Sequence, residues 1–399
     1  MIRAILMWVR ANFLRVFTMR TLILSAAILA LAPAAFAETI TGTSGSEIEI
    51  TELESFDGPW AMTILPDGRM LVTEQSGNLW LVGRNGKKLG KIGNVPEVTE
   101  RNQGGMGDII LDPDFKTNKR IYISYVERDE KDDSLSGAVV DSATLTTSTR
   151  GGSLVKRERI WTQLPKMTGN GHYGHRMAFS PENAKDGGGY LYITSGERQK
   201  FTPSQNMQMN LGKVVRINSD GTVPDDNPFA AQDGVTKQIW TLGHRNPLGI
   251  DFDAKGRLWV HEMGPRHGDE LNHITRASNY GYPVVSNGTH YSGVEIPDHD
   301  TNPVFKAPAA FWVPAISPAG LTIYDGELFS DWQGHGFIGG MSSQALVRVE
   351  FEEGRRGPTA KEAERFEWGK RIREVETGLD GALYVLEDND GRLLRVTPK

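Results

Sequence analysis

Three features of the chain predict an all-β fold, a six-bladed β-propeller with four-stranded antiparallel blades. Of its 399 residues 45 are glycine, many beside aspartate or asparagine, which marks frequent tight turns between short strands. A unit made of a Gly- or Asp-containing turn, an apolar or alternating strand and a polar or acidic strand end recurs along the sequence. The strand cores of these units, near Leu71, Ile121, Tyr190, Leu258, Phe337 and Leu383, lie roughly 45 to 80 residues apart, room for four strands and their loops. A pair of β-sandwiches with incidental Asp-Gly turns is the alternative architecture.

Taken in order, the chain begins with a leader. The stretch Met19 to Ala37, "MRTLILSAAILALAPAAFA", has a positive start, an apolar centre and an Ala-Phe-Ala end, the layout of a secretory signal. Cleavage after Ala37 is expected, leaving residues 38–399 as one domain, periplasmic or secreted, with no stable membrane insertion. The arginine-bearing residues before Met19 either extend the charged region or lie upstream of the true start. A retained anchor is the alternative, although the apolar run is short for a span. Export leads to an oxidising compartment, yet the chain has no cysteine, which excludes disulfides, thiolate metal sites and cysteine nucleophiles. Net charge is −6 and no basic run occurs, so the footprint of a nucleic-acid binder is missing.

The repeated units follow: "PDGRMLVTEQSGNLWLV" from Pro66, "DPDFKTNKRIYISYVE" from Asp112, "GGGYLYITSGER" from Gly187, "DAKGRLWVHEMGP" from Asp253, "WQGHGFIGGMSSQALVRVEF" from Trp332 and "LDGALYVLEDNDGRLLRVTP" from Leu379. In a propeller the entrances to the innermost strands converge on one central channel. The segment "GNGHYGHRMAFSP" then sets His172, His175 and Arg176 at the entrance to the third blade. Gln103 in "NQGGMGDIIL", His244, Arg245 and Asn246 in "GHRNPLGIDF", and Arg371 and Arg373 in "RIREVETG" occupy comparable places; the last two, at alternate positions, share one side of a strand. Taken singly, each has a structural reading as a turn cap, a bridge between blades or a solvated face.

The segments "PWAMTILPDGRMLVTEQSGNLWLV", "QGGMGDIILDPDF", "LGKVVRINSDGTVPDDNPF", "GHRNPLGIDFDAKGRLWVHEMGPRHGDELNHITRASNYGYPVVSNGTHYSG" and "RIREVETGLDGALYVLEDNDGRLLRV" resemble the soluble PQQ-dependent aldose sugar dehydrogenases, relatives of soluble quinoprotein glucose dehydrogenase. The resemblance runs from about Pro59 to the C-terminus. It implies PQQ across the channel mouth with Ca²⁺ on its quinone, oxidation of aldoses at the anomeric carbon to lactones, and delivery of electrons to an acceptor that the sequence does not identify. His172, four residues before Arg176, matches the family's general base; His175 stands where relatives carry a small residue. The resemblance assigns Gln103, Arg245, Asn246, Arg371 and Arg373 to the cofactor or substrate, and Tyr291 in "THYSG" to the faces of the rings. It assigns the carbonyls of Gly264 and Pro265 to the PQQ-bound calcium, and Glu270 and Tyr280 to a second calcium. Where glucose-oxidising relatives place a lysine, this chain has Ser342. A calcium-dependent lactonase-like hydrolase and a non-catalytic sugar-binding propeller stay open as alternatives, since a fold does not fix a function.

Overall fold

The computed structural model describes residues 37–181, 189–355 and 357–399. The expected leader therefore lies outside the described residues except for Ala37, which starts β1 (Ala37–Thr41). After β2 (Glu47–Ser55) come two antiparallel meanders. The first is β3 (Pro59–Ile64), β4 (Met70–Glu74), β5 (Leu79–Val82) and β6 (Lys88–Gly93); the second is β7 (Met106–Leu111), β8 (Arg120–Arg128), β9 (Leu135–Ser148) and β10 (Gly151–Thr162), with the short β11 (Met167–Thr168) paired to β9. Three four-stranded sheets follow: β12 (Gly174–Phe179), β13 (Tyr190–Ser195), β14 (Lys213–Asn218) and β15 (Ile239–Leu242); β16 (Asn246–Phe252), β17 (Leu258–Met263), β18 (Asp269–Ile274) and β19 (Ala310–Trp312); β20 (Pro318–Ile323), β21 (Gly336–Gly340), β22 (Ala345–Gly354) and β23 (Gly357–Glu367). The chain ends with β24 (Ile372–Thr377), β25 (Leu383–Glu387) and β26 (Arg392–Pro398), and β2 pairs with β26, so that one sheet joins both ends of the described chain.

Hydrogen bonding divides these strands into five sheets, because β6 and β10 pair in parallel at Ile92 and Gly93 and merge the two meanders into nine strands. The cause is local. Gly90, Gly151 and Gly152 lie so close to the neighbouring backbone that a Cβ on any of them would fall within 2.4 Å of a carbonyl oxygen. Only hydrogen on these residues lets the outer strands meet. Contacts between β3 and β7, β7 and β12, β12 and β16, β16 and β20, β20 and β24, and β24 and β3 form a closed ring of innermost strands.

Apolar side chains fill the space between successive sheets. Tyr122, Val140 and Trp161 meet Met177, Ile193 and Val215, for example, while Tyr324, Phe337 and Leu346 meet Val375, Val385 and Val396. Middle strands such as "LYVLE" of β25 are buried on both faces, so they read as apolar runs rather than alternations. Each of the six innermost strands also carries a register shift close to its start: Pro59/Ala61, Met106/Ile109, Gly174/Met177, Pro247/Gly249, Ala319/Leu321 and Ile372/Glu374. A bulge bends its strand and re-aims the side chains beside it.

One of those side chains is Arg176, which closes the centre of the ring. It pairs with Asp108 of β7 at 3.3 Å and with Glu374 of β24, and donates to the carbonyls of Leu248 (3.1 Å) and Arg373 (3.4 Å). Its guanidinium lies 4.1 Å from the centre of the Trp60 ring on β3. β20, the inner strand it does not touch, is reached by His261, whose Nε2 lies 2.8 Å from the Gly320 carbonyl. Burial works against the charge of Arg176, but the Glu374 and Asp108 carboxylates more than offset it and raise its pKa. Removing this cation would leave two buried carboxylates with backbone amides but no ionic partner among the described residues. Arg176→Met is therefore expected to destabilise the fold by about 3–5 kcal/mol in chemical unfolding, and adding Glu374→Gln should recover part of that loss. A loss below about 1 kcal/mol would mean that the pair is solvated like a surface bridge.

Candidate active site

A cavity of about 570 Å³ opens beside this hub, lined by Trp60, Gln103, His175, Asn246, Arg371 and Arg373 among others. Four sheets contribute these side chains, which their positions in the sequence do not reveal. The bulge at the start of β12 and left-handed backbone at His172 (φ 51°) and His175 (φ 65°) shape the third entrance. Gln103 accepts the His172 amide on its Oε1 at 2.7 Å.

His172 is buried just behind the lining formed by Tyr173, Gly174 and His175. Its Nδ1 lies 2.5 Å from Oε1 of Glu197, a residue that the sequence reading did not single out. The other carboxylate oxygen of Glu197 accepts the amides of Lys200 and Phe201. Burial would raise the Glu197 pKa, but the hydrogen bond and charge of His172 and the Phe201 amide bring it below the ordinary carboxylate value. An ionised carboxylate at Nδ1 keeps the proton on that nitrogen and leaves Nε2 with a lone pair. For His172 itself burial dominates, lowering its pKa; Glu197 pulls it up and the charge of Arg245 pushes it down further. The available signal for Glu197 was the acidic residue ending the strand of "YLYITSGER", a feature of the repeated unit.

Arg371 and Arg373 do share one side, as their spacing requires. Both reach Asp388, with Nε at 2.7 and 2.8 Å, and Arg371 also donates to the Met341 sulfur at 3.3 Å. Asn246 lines the cavity, and its buried Oδ1 has no hydrogen-bond partner among the described residues. Arg245 lies outside the lining: it donates to the Met263 carbonyl at 3.0 Å, keeps a buried Nε without a partner, and stands 5.8 Å from the Tyr291 ring. Tyr291 is 75% exposed. Ser342 is exposed and donates to the Ala315 carbonyl, while its neighbour Met341 faces the cavity.

Gly264 and Pro265 follow β17 in buried backbone, where the Gly264 amide donates to Asp269 Oδ1 at 2.9 Å. A Cβ at Gly264 would fall 2.3 Å from the carbonyls of His267 and Gly268, which explains the glycine. Glu270 and Tyr280 come together elsewhere, around His299: its Nδ1 lies 3.8 Å from Glu270 Oε1 and its Nε2 3.0 Å from the Tyr280 carbonyl. Burial and the neighbouring Glu262 charge push the Glu270 pKa well up. Asn272 donates to both carboxylates, yet its own Oδ1 and His299 Nδ1 are buried without hydrogen bonds. The arrangement suits a cation: buried carboxylate beside buried oxygen acceptors, with no basic side chain paired to Glu270 among the described residues other than His299.

Residues 56–395 match the family described as Glucose / Sorbosone dehydrogenase. Aldose sugar dehydrogenase YliI of Escherichia coli (strain K12) is 35% identical over 355 residues, covering 87% of this chain and 91% of that protein. A crystal structure of the soluble aldose sugar dehydrogenase from Escherichia coli in the apo-form superposes with a TM-score of 0.81 at 34% identity, over 88% of this chain and all (100%) of that one. The PQQ-bound form of an aldose sugar dehydrogenase from Streptomyces coelicolor, at 24% identity, shares the fold with a TM-score of 0.68 over 92% of this chain and 100% of that one. With the family match spanning nearly all of the described residues, this β-propeller chain belongs to the glucose/sorbosone dehydrogenase family.

Proposed function

We propose that the cavity is the active site of a PQQ-dependent aldose sugar dehydrogenase, and that His172 is its general base. The observation that carries this reading is the Glu197 carboxylate 2.5 Å from His172 Nδ1, next to a cavity lined by arginines. We also take the merged nine strands as two blades, which makes the closed ring six-bladed, and the N-terminal segment as a leader that sends the enzyme to the periplasm or beyond. After leader removal no membrane insertion is expected, and no described helix is long and apolar enough to cross a membrane.

The lining fits PQQ. The volume is within the range of cofactor and substrate pockets. A planar tricarboxylate calls for guanidinium and amide groups, which Arg371, Arg373 and Asn246 provide in the lining and the buried Arg245 beside Asn246 in the chain. The unpartnered Nε of Arg245 and Oδ1 of Asn246 are polar groups that a ligand would satisfy. Tyr291 stands beside Arg245 as a further contact for the rings. The carbonyls of Gly264 and Pro265 would hold calcium at the cofactor, and Glu270 with the Tyr280 carbonyl a second, structural ion. When bound, calcium-polarised PQQ supplies the hydride acceptor.

The protein's own share is proton transfer and orientation. Gln103 fixes the His172 backbone, Glu197 holds Nδ1–H, and Nε2 takes the proton of the anomeric hydroxyl as the carbon gives up hydride. Glu197 then stabilises the imidazolium, and Arg176 holds the strand entrance from behind. The lactonase-like reading needs several acidic side chains converging on a metal at this cavity; Asp388, one of its lining acids, is instead engaged by Arg371 and Arg373.

Reconstitution of the purified protein with PQQ and Ca²⁺ is expected to give aldose-dependent reduction of a dye acceptor, with no activity when either is left out; an inactive reconstituted protein would refute the proposal. His172→Ala should lower turnover by about 10²–10⁴ at unchanged PQQ affinity, with no rescue by added cofactor. Arg245→Ala should do the opposite, losing PQQ affinity and recovering rate as PQQ is raised. Because burial lowers the His172 pKa, the acid limb of the turnover profile should lie below the ordinary imidazole value of about 6.5. Glu197→Gln removes an influence that raises that pKa, so any residual activity should have its limb displaced to still lower pH; a displacement upward would contradict the assigned pair.

A further inference from the structure

His175 sits three residues from the proposed base but is held in a different way. Its ring is buried, stacks on Trp60 with centroids 5.0 Å apart, and meets the Tyr173 ring at 6.5 Å. Gly107 makes the room: a Cβ there would lie 2.0 Å from His175 Cε1. The residue adopts left-handed backbone at φ 65°, which a side chain other than glycine occupies at some cost. That conformation places the ring in the lining of the cavity.

The partner of its Nδ1 is not a carboxylate but Ser124 Oγ, at 2.8 Å. Ser124 Oγ also accepts the Asp108 amide at 2.8 Å. A hydroxyl has one proton to give. Among the described hydrogen bonds His175 Nδ1 is the one acceptor offered to that proton, so the arrangement that satisfies the hydroxyl has it donating to Nδ1, with the imidazole proton on Nε2. Burial, followed by the charge of Arg176, pushes the His175 pKa down to about 3, so the ring is neutral at any working pH. Nε2 makes no hydrogen bond among the described residues, and His175 is one of the residues that line the cavity. In this arrangement the two histidines are opposite tautomers, His172 with a lone pair on Nε2 and His175 with a proton there.

We infer that His175 is a specificity-determining residue, a fixed Nε2–H donor aimed at an oxygen of the bound sugar, selecting substrates that carry a hydroxyl or ring oxygen at that point. The sugar is favoured over the cofactor as the source of that oxygen because His175 shares the strand entrance of His172, whereas Arg371 and Arg373 line the cavity from the start of β24 and the residue before it. A buried donor discriminates because a ligand without the matching acceptor leaves it unsatisfied. The inference rests on the dehydrogenase reading, and its test separates the two.

In protein carrying ¹⁵N-labelled histidine, two-bond ¹H–¹⁵N correlation is expected to show the Nε2–H tautomer for His175 and the Nδ1–H form for His172; His175 as Nδ1–H would overturn the assignment whether or not the enzyme turns over sugar. With reconstituted wild type, a panel of monodeoxy aldoses should reveal one position at which loss of the oxygen lowers kcat/KM by roughly tenfold to a hundredfold. In His175→Gly, which the left-handed backbone accepts, that ratio should collapse to about one while the PQQ dissociation constant stays within about threefold. An active wild type with equal rates across the panel, or a ratio that survives in His175→Gly, would refute the role. A tenfold loss of PQQ affinity with discrimination intact would assign the oxygen to the cofactor instead. A wild type that oxidises no aldose at all would refute the dehydrogenase reading, and the tautomer would still be read from the spectrum.

Discussion

The buried guanidinium of Arg176 is the constraint on which the rest of the structure depends. It draws β7, β16 and β24 onto β12 through two carboxylates and two carbonyls, and packs on the Trp60 ring of β3. A cation so deep is tolerated because carboxylates meet it, and those carboxylates are tolerated because of the cation. Mutual dependence of this kind fixes geometry sharply, since displacement of either partner strands a charge. Asp108 extends the arrangement: its carboxylate accepts the Met177 amide, and its own amide donates to the Ser124 hydroxyl that orients His175. The groups that close the ring are thus two hydrogen bonds away from a residue that lines the cavity.

The bulges explain how a regular sheet yields so irregular a mouth. In an uninterrupted strand, alternate side chains enter the two layers between adjacent sheets, and none is directed along the central axis. A register shift close to the start of every innermost strand breaks that alternation where the channel opens. Left-handed backbone at His172, His175, Arg198, Gln199 and Phe201 concentrates further conformational cost at the same mouth. Glu197 restrains one part of it by accepting the amides of Lys200 and Phe201 while it holds His172. The strained loop and the orientation of His172 are therefore supported by one carboxylate.

The parts of this arrangement legible in the sequence are those carried by local chemistry. Asp-Gly turns and apolar runs such as "LYVLE" reveal many short, doubly buried strands, and their spacing reveals repetition. The spacing of Arg371 and Arg373 places them together on the cavity side, and the histidines fall at the strand entrance where polarity pointed. Position in sequence does not show that β6 and β10 touch, because their approach depends on glycines in two separate meanders. Nor does it separate Arg176 from Arg373: both are arginines at strand entrances, yet one bridges inner strands and the other lines the cavity. Glu197 looked like any acidic strand end until the fold brought it to His172.

The same principle applies most strongly to the two histidines. Sequence offers identical side chains three residues apart, both buried and both with depressed pKa, so neither residue type nor burial assigns a role. The distinction is made by what lies at Nδ1. A carboxylate can only accept, so it keeps a proton on His172 Nδ1 and frees Nε2 to receive one; a hydroxyl has a proton to give, and on the tautomer we infer it gives that proton to His175 Nδ1, which puts the ring's own proton on Nε2. Glu197 also counters the cost of burying an imidazolium, which is what the proposed base role of His172 requires. His175 has no such counter-charge, and the cation beside it is Arg176, which disfavours protonation further. Under the proposed assignments, the hub that holds the propeller together therefore helps to confine base chemistry to one histidine and hydrogen-bond donation to the other.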